Sequence, residues 1–120
     1  MTTYDPEGVL VPLRAYAAGH ATGDPAYFRT AFLPTAHVEG IRDGELVSWD
    51  LDDYCSRFTG ASAPDESDRV RTIDQVTVTG SVATAVMTLR HGPETFTDMF
   101  VLLEREPGVW RIASKAYHRS

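Results

Sequence analysis

The chain has 120 residues, of which 42% are apolar and 23% charged, and it carries a formal net charge of −6. This length is typical of one domain, so we expect a single domain over residues 1–120 whose core needs no disulfide or metal. The acidic balance and the scattered basic residues argue against a nucleic-acid partner, because phosphate binding depends on clustered Lys and Arg.

The cysteine content and the N-terminal residues bear on the compartment. Cys55 is the single cysteine, so no disulfide forms within the chain, which fits a reducing environment. The first residues lack the basic and apolar stretches of a secretory signal. No apolar run approaches the roughly 18–20 residues of a membrane span. We therefore expect a cytoplasmic protein that has no membrane partner.

Three helices are predicted in the first half of the chain. Asp5 followed by Pro6 is a typical helix start, and apolar positions then recur at helical spacing at Val9, Leu10, Leu13, Tyr16, Ala17 and His20. Gly23-Asp24-Pro25 ends this helix and begins a short second one over residues 25–32. Asp50 is the predicted cap of a third helix over residues 51–58.

Strand patterns fill the rest of the chain. Residues 36–49 alternate with a period of two around Asp43-Gly44, which predicts a hairpin with a tight turn. Four further strands are predicted at residues 70–79, 82–91, 95–105 and 109–118, joined by short turns as an antiparallel meander. Helices segregated from such a sheet make an α+β domain.

The order of these elements and several short motifs resemble the nuclear-transport-factor-2-like superfamily, in its SnoaL-like and "putative lumazine-binding" branches. The motifs are Tyr16, Gly23-Asp24, the segment at 32–36, the Phe-Thr-Asp strand from Phe96 and the Trp-to-Tyr strand 110–117. The resemblance implies a cone-shaped curved antiparallel sheet wrapped around N-terminal helices, a pocket between the two, frequent homodimers through the sheet, and no cofactor. The superfamily contains isomerases, dehydratases and cyclases as well as proteins without catalysis, so it does not by itself assign a function.

Asp98 is the first candidate for a catalytic residue because it interrupts an apolar strand. With a two-residue turn at Pro107-Gly108, Asp98 lies opposite Tyr117, and Lys115 becomes its diagonal neighbour. We expect Met99 and its neighbours two residues apart to face the core, whereas the face of Asp98, Lys115 and Tyr117 lines either a pocket or a dimer contact. Asp98 is then a general base or acid, or it forms a structural ion pair with Lys115 that sets the strand register.

Tyr16, His37 and His20 are the other polar candidates. A phenol on the buried face of the first helix donates either to a ligand carbonyl or to a backbone group, and the resemblance favours the former because ketosteroid isomerase uses a tyrosine on its first helix in this way. His37 and His20 titrate in the range that suits proton transfer, although a surface or satisfied core position explains each of them equally simply. We predict catalytic roles for Asp98, Tyr16 and His37.

The remaining predicted site residues bind a ligand. Trp49 and Tyr54 flank the start of the third helix and either cover the pocket or belong to the core. With Lys115, Tyr117 and His20 they form the predicted ligand-binding set. The sequence predicts a small apolar or aromatic ligand, no cofactor and no metal. Two functions remain open: cofactor-independent acid–base catalysis on a carbonyl compound, and a non-catalytic binding or dimerisation module.

Overall fold

The computed structural model describes residues 6–120, in which three α-helices and six β-strands follow one another. The predicted cap at Asp5 lies outside the described residues. The elements are α1 (Pro6–Thr22), α2 (Ala26–Ala31), β1 (Phe32–Arg42), β2 (Glu45–Asp50), α3 (Leu51–Ser56), β3 (Val70–Thr79), β4 (Val82–His91), β5 (Glu94–Glu106) and β6 (Val109–Arg119), with one 3₁₀ turn at Glu66–Asp68. The predicted order of helices and strands is confirmed, and none of the described helices is long and apolar enough to cross a membrane.

The helices bury the side chains that their spacing predicts. Val9, Leu13 and Tyr16 on α1 are buried, and α1 continues through Pro12. It is followed by Gly23, whose φ of 74° lies in the left-handed region that residues with a side chain rarely adopt. The helix α3 begins as predicted, because the Asp50 side chain accepts a hydrogen bond from the Asp53 amide at 2.8 Å.

The strand β1 starts earlier than predicted and shortens the helix before it. The helix α2 ends at Ala31, and Phe32 is already paired with Ile112 of β6. The pairing is interrupted until His37, and Pro34 lies in this gap, where its missing amide hydrogen costs no ladder bond. Pro34 therefore lies where the pairing of β1 with β6 is interrupted.

The six strands form one sheet in the order β2-β1-β6-β5-β4-β3. The predicted hairpin and meander are confirmed, and Asp43 and Gly44 take positive φ at the hairpin turn. One pair departs from the expected antiparallel sheet, because β1 and β6 run parallel. The sheet is curved and open, and the helices pack on its concave side. This is the α+β cone architecture that the sequence predicts.

The pairing of β5 with β6 corrects the predicted faces of these strands. Asp98 lies opposite Tyr117 and Phe100 opposite Lys115, as predicted. Between them and the turn, however, the register shifts twice, once on each strand, and the two shifts cancel. Trp110 and Ile112 therefore face the helices together with Asp98, Phe100, Leu102, Lys115 and Tyr117.

The expectation that Met99 and Val101 belong to the core is wrong. Met99 is 59% exposed and Val101 39% exposed, on the convex face of the sheet. The two compensating bulges are the physical reason, because a shift of one residue moves every following side chain to the opposite face. The concave face is thus the mixed one, apolar near the hairpin turn of β5 and β6 and polar around Asp98.

Candidate functional site

A cavity of about 310 Å³ opens between the concave face of the sheet and the helices. This volume is at the lower end of the range for small-molecule sites. The exposed Arg42 and Arg57 lie at its mouth, and the buried Tyr16, Asp98 and Lys115 at its floor. The rest of its lining is mostly aromatic or apolar: His20, Val38, Trp49, Tyr54, Phe58, Arg69, Leu89, His91, Phe96 and Tyr117.

Three polar side chains meet at the floor of this cavity. The Tyr16 hydroxyl donates a hydrogen bond to Asp98 Oδ2 at 3.1 Å and accepts one from Lys115 Nζ at 2.6 Å. Lys115 Nζ also lies 3.5 Å from Asp98 Oδ1. Each member thus contacts both of the others, and we call Tyr16, Asp98 and Lys115 the floor triad.

Each member of the floor triad comes from a different element. Tyr16 follows the buried Leu13 by one turn of α1, so it points into the cone. Asp98 lies on β5, and Lys115 lies on β6 opposite Phe100, so the two side chains are diagonal neighbours on the same face. The triad therefore depends on α1 packing correctly against the β5–β6 hairpin.

The floor triad combines charge with deep burial. Asp98 and Lys115 are each only 6% exposed, so their opposite charges interact with little screening by water. Burial, and then the negative charge of Asp98, raises the pKa of the Tyr16 phenol well above its ordinary value of 10.0. At neutral pH Tyr16 therefore keeps its proton and donates the hydrogen bond that Asp98 accepts.

Lys115 is held by aromatic rings as well as by Asp98. Its Nζ lies 4.7 Å from the ring centre of Tyr16, 5.5 Å from that of Tyr54 and 5.7 Å from that of Tyr117. Such cation–π contacts strengthen when the ammonium is removed from water. Lys115 is also the single lysine of the chain. Apart from the N-terminal amine, a reagent that reacts with primary amines therefore modifies this site alone.

His20 lies on the cavity wall and is held there by a half-buried arginine. Arg71 donates to His20 Nδ1 at 2.8 Å and binds Glu66 with two hydrogen bonds of 2.6 and 2.8 Å. Burial, followed by the positive charge of Arg71, lowers the pKa of His20 to about 3. The imidazole is thus neutral at neutral pH, and because Nδ1 accepts, its hydrogen is on Nε2.

One wall of the cavity is a pair of parallel rings. The rings of Trp49 and Tyr117 are 6.4 Å apart with an interplanar angle of 6°. Tyr117 fits here because Gly40 on the neighbouring strand has no side chain: a Cβ at Gly40 would lie 2.6 Å from the Tyr117 ring. The Tyr117 hydroxyl is buried without a hydrogen-bond partner in residues 6–120, which leaves a polar group available to a ligand.

The structure brings seven of the eight predicted site residues to this cavity: Tyr16, His20, Trp49, Tyr54, Asp98, Lys115 and Tyr117. His37 is not among them. It is exposed on the convex face of the sheet, and its Nδ1 lies 3.1 Å from the Thr35 carbonyl oxygen. The grouping of His37 with Tyr16 and Asp98 is therefore corrected, because alternation along β1 directs Val38, and not His37, into the cone.

Several lining residues were not predicted. Arg42 shares the face of Val38, which pairs with Trp49 in the hairpin, so alternation with a period of two was a usable signal for it. Arg57 and Arg69 lie in or beside loops, where no periodicity places them. His91 is half-buried between Asp65 and Glu94, with ring nitrogens 3.4 and 3.3 Å from their carboxylates.

The arrangement of donors suits an organic ligand. Within residues 6–120, no group of His, Cys, Asp and Glu side chains is placed to hold a metal ion. The floor instead offers an ammonium, a phenol and a carboxylate within hydrogen-bonding distance of one another. Such a set binds and polarises a carbonyl oxygen and accepts a proton.

Comparison with known proteins assigns the chain to a family. The sequence profile of the family described as "Putative lumazine-binding" matches residues 5–118. A protein of unknown function from Shewanella baltica OS155 with a nuclear-transport-factor-2-like fold is 26% identical, with a TM-score of 0.86 over 100% of this chain and 98% of that one. A search of proteins with curated functions found no significant match.

Two further structures share the fold at lower identity. One is a nuclear-transport-factor-2-like protein of unknown function from Silicibacter pomeroyi DSS-3, with 24% identity, a TM-score of 0.81, and coverage of 95% of this chain and 94% of that one. The other, from Shewanella frigidimarina NCIMB 400, is named a "putative ketosteroid isomerase", with 16% identity, a TM-score of 0.61, and coverage of 89% and 91%. The chain belongs to the family described as "Putative lumazine-binding", within the nuclear-transport-factor-2-like superfamily.

Proposed function

We propose that this protein binds a small, largely apolar carbonyl compound in the cone and moves a proton on it without a cofactor. The floor triad carries this proposal, because its phenol contacts both a buried carboxylate and a buried ammonium. The aromatic lining supplies the surface that buries an apolar ligand. The family description, which names a small heterocyclic ligand, supports binding of a small molecule in general.

The chemistry that fits the triad is proton abstraction next to a carbonyl group. Asp98 accepts the proton from carbon, and the Lys115 ammonium stabilises the negative charge that develops on the carbonyl oxygen. Tyr16, which stays protonated, donates to Asp98 and orients its carboxylate. Double-bond isomerisation, loss of water from a β-hydroxy carbonyl compound and aldol cyclisation can each begin with this step, so the proposal covers this class of reactions and no single substrate.

The alternative is a non-catalytic binding module of the same fold. It is favoured by one observation: the polar groups of the floor triad already satisfy one another. In that case Asp98 and Lys115 serve the structure of the cone, and a ligand binds above them without reacting. The two functions differ in whether a bound carbonyl compound loses a proton.

Exchange of carbon-bound protons tests catalysis directly. The wild-type protein is expected to accelerate the exchange of the α-protons of 2-tetralone in D₂O, measured by ¹H NMR. Asp98→Asn is expected to reduce this catalysed rate about 100-fold, because the amide keeps the shape and the hydrogen-bond acceptor but cannot take up the proton. Tyr16→Phe keeps the carboxylate and is expected to reduce the rate less.

Glu106→Gln is the matched control, since it makes the same carboxylate-to-amide change at an exposed position of β5. It is expected to exchange protons at the wild-type rate. If the wild-type protein shifts the resonances of 2-tetralone on binding but exchanges its protons no faster than buffer, the non-catalytic alternative is correct.

We propose that the protein forms a homodimer through the convex face of the sheet. Met99, Val101 and Val82 are exposed there by 59%, 39% and 41%. Met99 pairs with Val86 on one side and Ala116 on the other, so the apolar side chains are contiguous. A continuous apolar surface on a sheet face is typical of a protein interface.

Met99→Glu is expected to convert the dimer into a monomer, because it places a charge in the centre of the apolar surface. Light scattering at micromolar concentration distinguishes the mass of two 13.2 kDa chains from that of one. Val11→Glu is the control, as Val11 is equally apolar and 63% exposed but lies on α1; this variant should remain dimeric. A monomeric wild-type protein would contradict the proposal.

The domain organisation and the cellular location of the protein are also proposals. We infer that residues 1–120 act as one domain, because the cavity combines residues from α1 with residues of β6 near the end of the chain. A cytoplasmic location agrees with Cys55, the single cysteine, being buried as a free thiol.

A further inference from the structure

Two arginines at the mouth of the cavity have no acidic partner. Arg42 at the end of β1 and Arg57 just after α3 both line the cavity. Within residues 6–120, neither guanidinium forms an ion pair or a hydrogen bond with a carboxylate. In a chain with more acidic than basic residues, two such arginines beside one opening indicate an anion as their partner.

The charges around the cavity also favour an anionic ligand. Arg42, Arg57, Arg69 and Lys115 line it, whereas Asp98 is its one lining carboxylate, although the whole chain has a net charge of −6. Arg69 is neutralised by Asp65 at 3.0 Å, and Lys115 by Asp98. The positive charge that remains is at the mouth, on the two unpaired arginines.

Both guanidiniums lie over the same indole ring. The Arg57 guanidinium carbon is 4.2 Å from the ring centre of Trp49, and that of Arg42 is 5.9 Å away. Stacking engages the π-face of a guanidinium and leaves the N–H groups in its plane free to bind a carboxylate with two hydrogen bonds. Trp49 therefore holds the arginines beside the wall that it forms with Tyr117.

We propose that the carbonyl compound bound in this cavity also carries a planar aromatic ring and a carboxylate. Its ring lies against the Trp49–Tyr117 wall, and its carboxylate binds Arg42 and Arg57 at the mouth. The unpartnered Tyr117 hydroxyl inside the cavity gains a polar group of the ligand as its partner. This inference rests on the proposed ligand-binding function and adds to it the charge of the ligand, which the apolar compound expected from the sequence lacks.

A matched pair of probes tests the charge. Naphthalene-2-carboxylate and naphthalene-2-carboxamide have the same ring and nearly the same shape, and isothermal titration calorimetry at low salt gives the affinity of each. The carboxylate is expected to bind the wild-type protein about tenfold more tightly, because hydrogen bonds between charged groups are stronger than neutral ones. Naphthyl phosphate is a third probe, expected to bind less tightly than the carboxylate.

Variants then test the assignment to the two arginines. Arg42→Gln with Arg57→Gln is expected to abolish the preference for the carboxylate and to leave the affinity for the carboxamide within about twofold. Arg105→Gln is the control, because it removes the same charge from an exposed position of β5, seven residues from Asp98 and roughly 23 Å along the strand. It should keep the tenfold preference.

The outcomes separate this inference from the function on which it rests. Equal affinities of the wild-type protein for carboxylate and carboxamide would overturn the anionic ligand and leave ligand binding intact. A preference that persists in the double variant would overturn the assignment to Arg42 and Arg57, and tighter binding of the phosphate would overturn the carboxylate. If none of the probes binds at about 1 mM while 2-tetralone binds, this inference fails and the proposed function stands; if 2-tetralone does not bind either, both fail.

Discussion

Replacing Lys115 by methionine is expected to lower the free energy of unfolding by about 3–5 kcal/mol at neutral pH. Methionine, one heavy atom shorter than lysine, keeps an unbranched apolar side chain at this position. It removes the ammonium, however, and leaves the carboxylate of Asp98, 6% exposed, without a cation. Denaturation by urea measures the loss, provided that the dependence on denaturant concentration keeps the wild-type slope.

A double variant separates the loss of the ion pair from the loss of packing. Asp98→Asn together with Lys115→Met removes both charges, and the asparagine oxygen still accepts the hydrogen bond from Tyr16. Replacing both partners of a buried ion pair is much less costly than removing one, so the double variant is expected to recover more than half of the loss. The double-mutant cycle gives the coupling between the two side chains.

The control for this cycle is a cation that has no buried partner. Arg105→Met is expected to leave the free energy of unfolding almost unchanged, because Arg105 is exposed. A Lys115→Met protein as stable as the wild type would contradict the prediction. It would show that the Asp98 carboxylate is stabilised at the floor of the cavity without its ion pair.

His20 is expected to make the protein less stable as the pH falls. Its pKa is about 3 in the folded protein, against an ordinary value of 6.5, so between these values the unfolded chain binds a proton at His20 and the folded protein does not. Stability in this window therefore falls as the pH falls. From pH 6.5 to about pH 4 the contribution of His20 amounts to about 3 kcal/mol.

The comparison with His20→Gln isolates this contribution. Glutamine accepts the hydrogen bond from Arg71 and does not titrate, so its stability should fall less steeply between about pH 7 and about pH 4. The lowered pKa of Glu66, caused mainly by its hydrogen bonds from Arg71, destabilises both proteins in acid, so most of its contribution cancels in the difference. His118→Gln, an exposed control on the convex face, should follow the wild-type curve. Identical pH profiles of the wild type and His20→Gln would contradict the prediction.

These two predictions concern the groups that make the cone usable as a site. The floor triad places an ammonium and a carboxylate where an apolar core would be more stable, since buried ion pairs seldom improve stability over apolar packing. The Arg71–His20 pair keeps a neutral imidazole on the wall beside it. Polar groups that are costly to bury and converge on one cavity are typical of a functional site.

The fold was accessible from the sequence because local signals agreed with one another. Alternation of apolar residues, the Asp43-Gly44 turn and the cap at Asp50 each depend on neighbours within a few residues, and all three were predicted correctly. The register that sets Asp98 opposite Tyr117 also followed from the sequence, through the short turn before Val109. The short motifs around Tyr16 and Phe96 added the family, which its sequence profile confirms.

Other features of the site depend on contacts between segments that are distant in the chain, and only the tertiary structure decided them. The cancelling bulges of β5 and β6 put Met99 on the convex face and Trp110 on the concave one, and such bulges leave no mark in the alternation pattern. Tyr16 and Lys115, 99 residues apart in the chain, meet because α1 packs against β6. Arg57 reaches the cavity from a loop, where no local pattern predicts its position. The sequence by itself thus determined the cone and most of its polar floor, whereas tertiary packing decided which charged side chains lie at the mouth of the cavity.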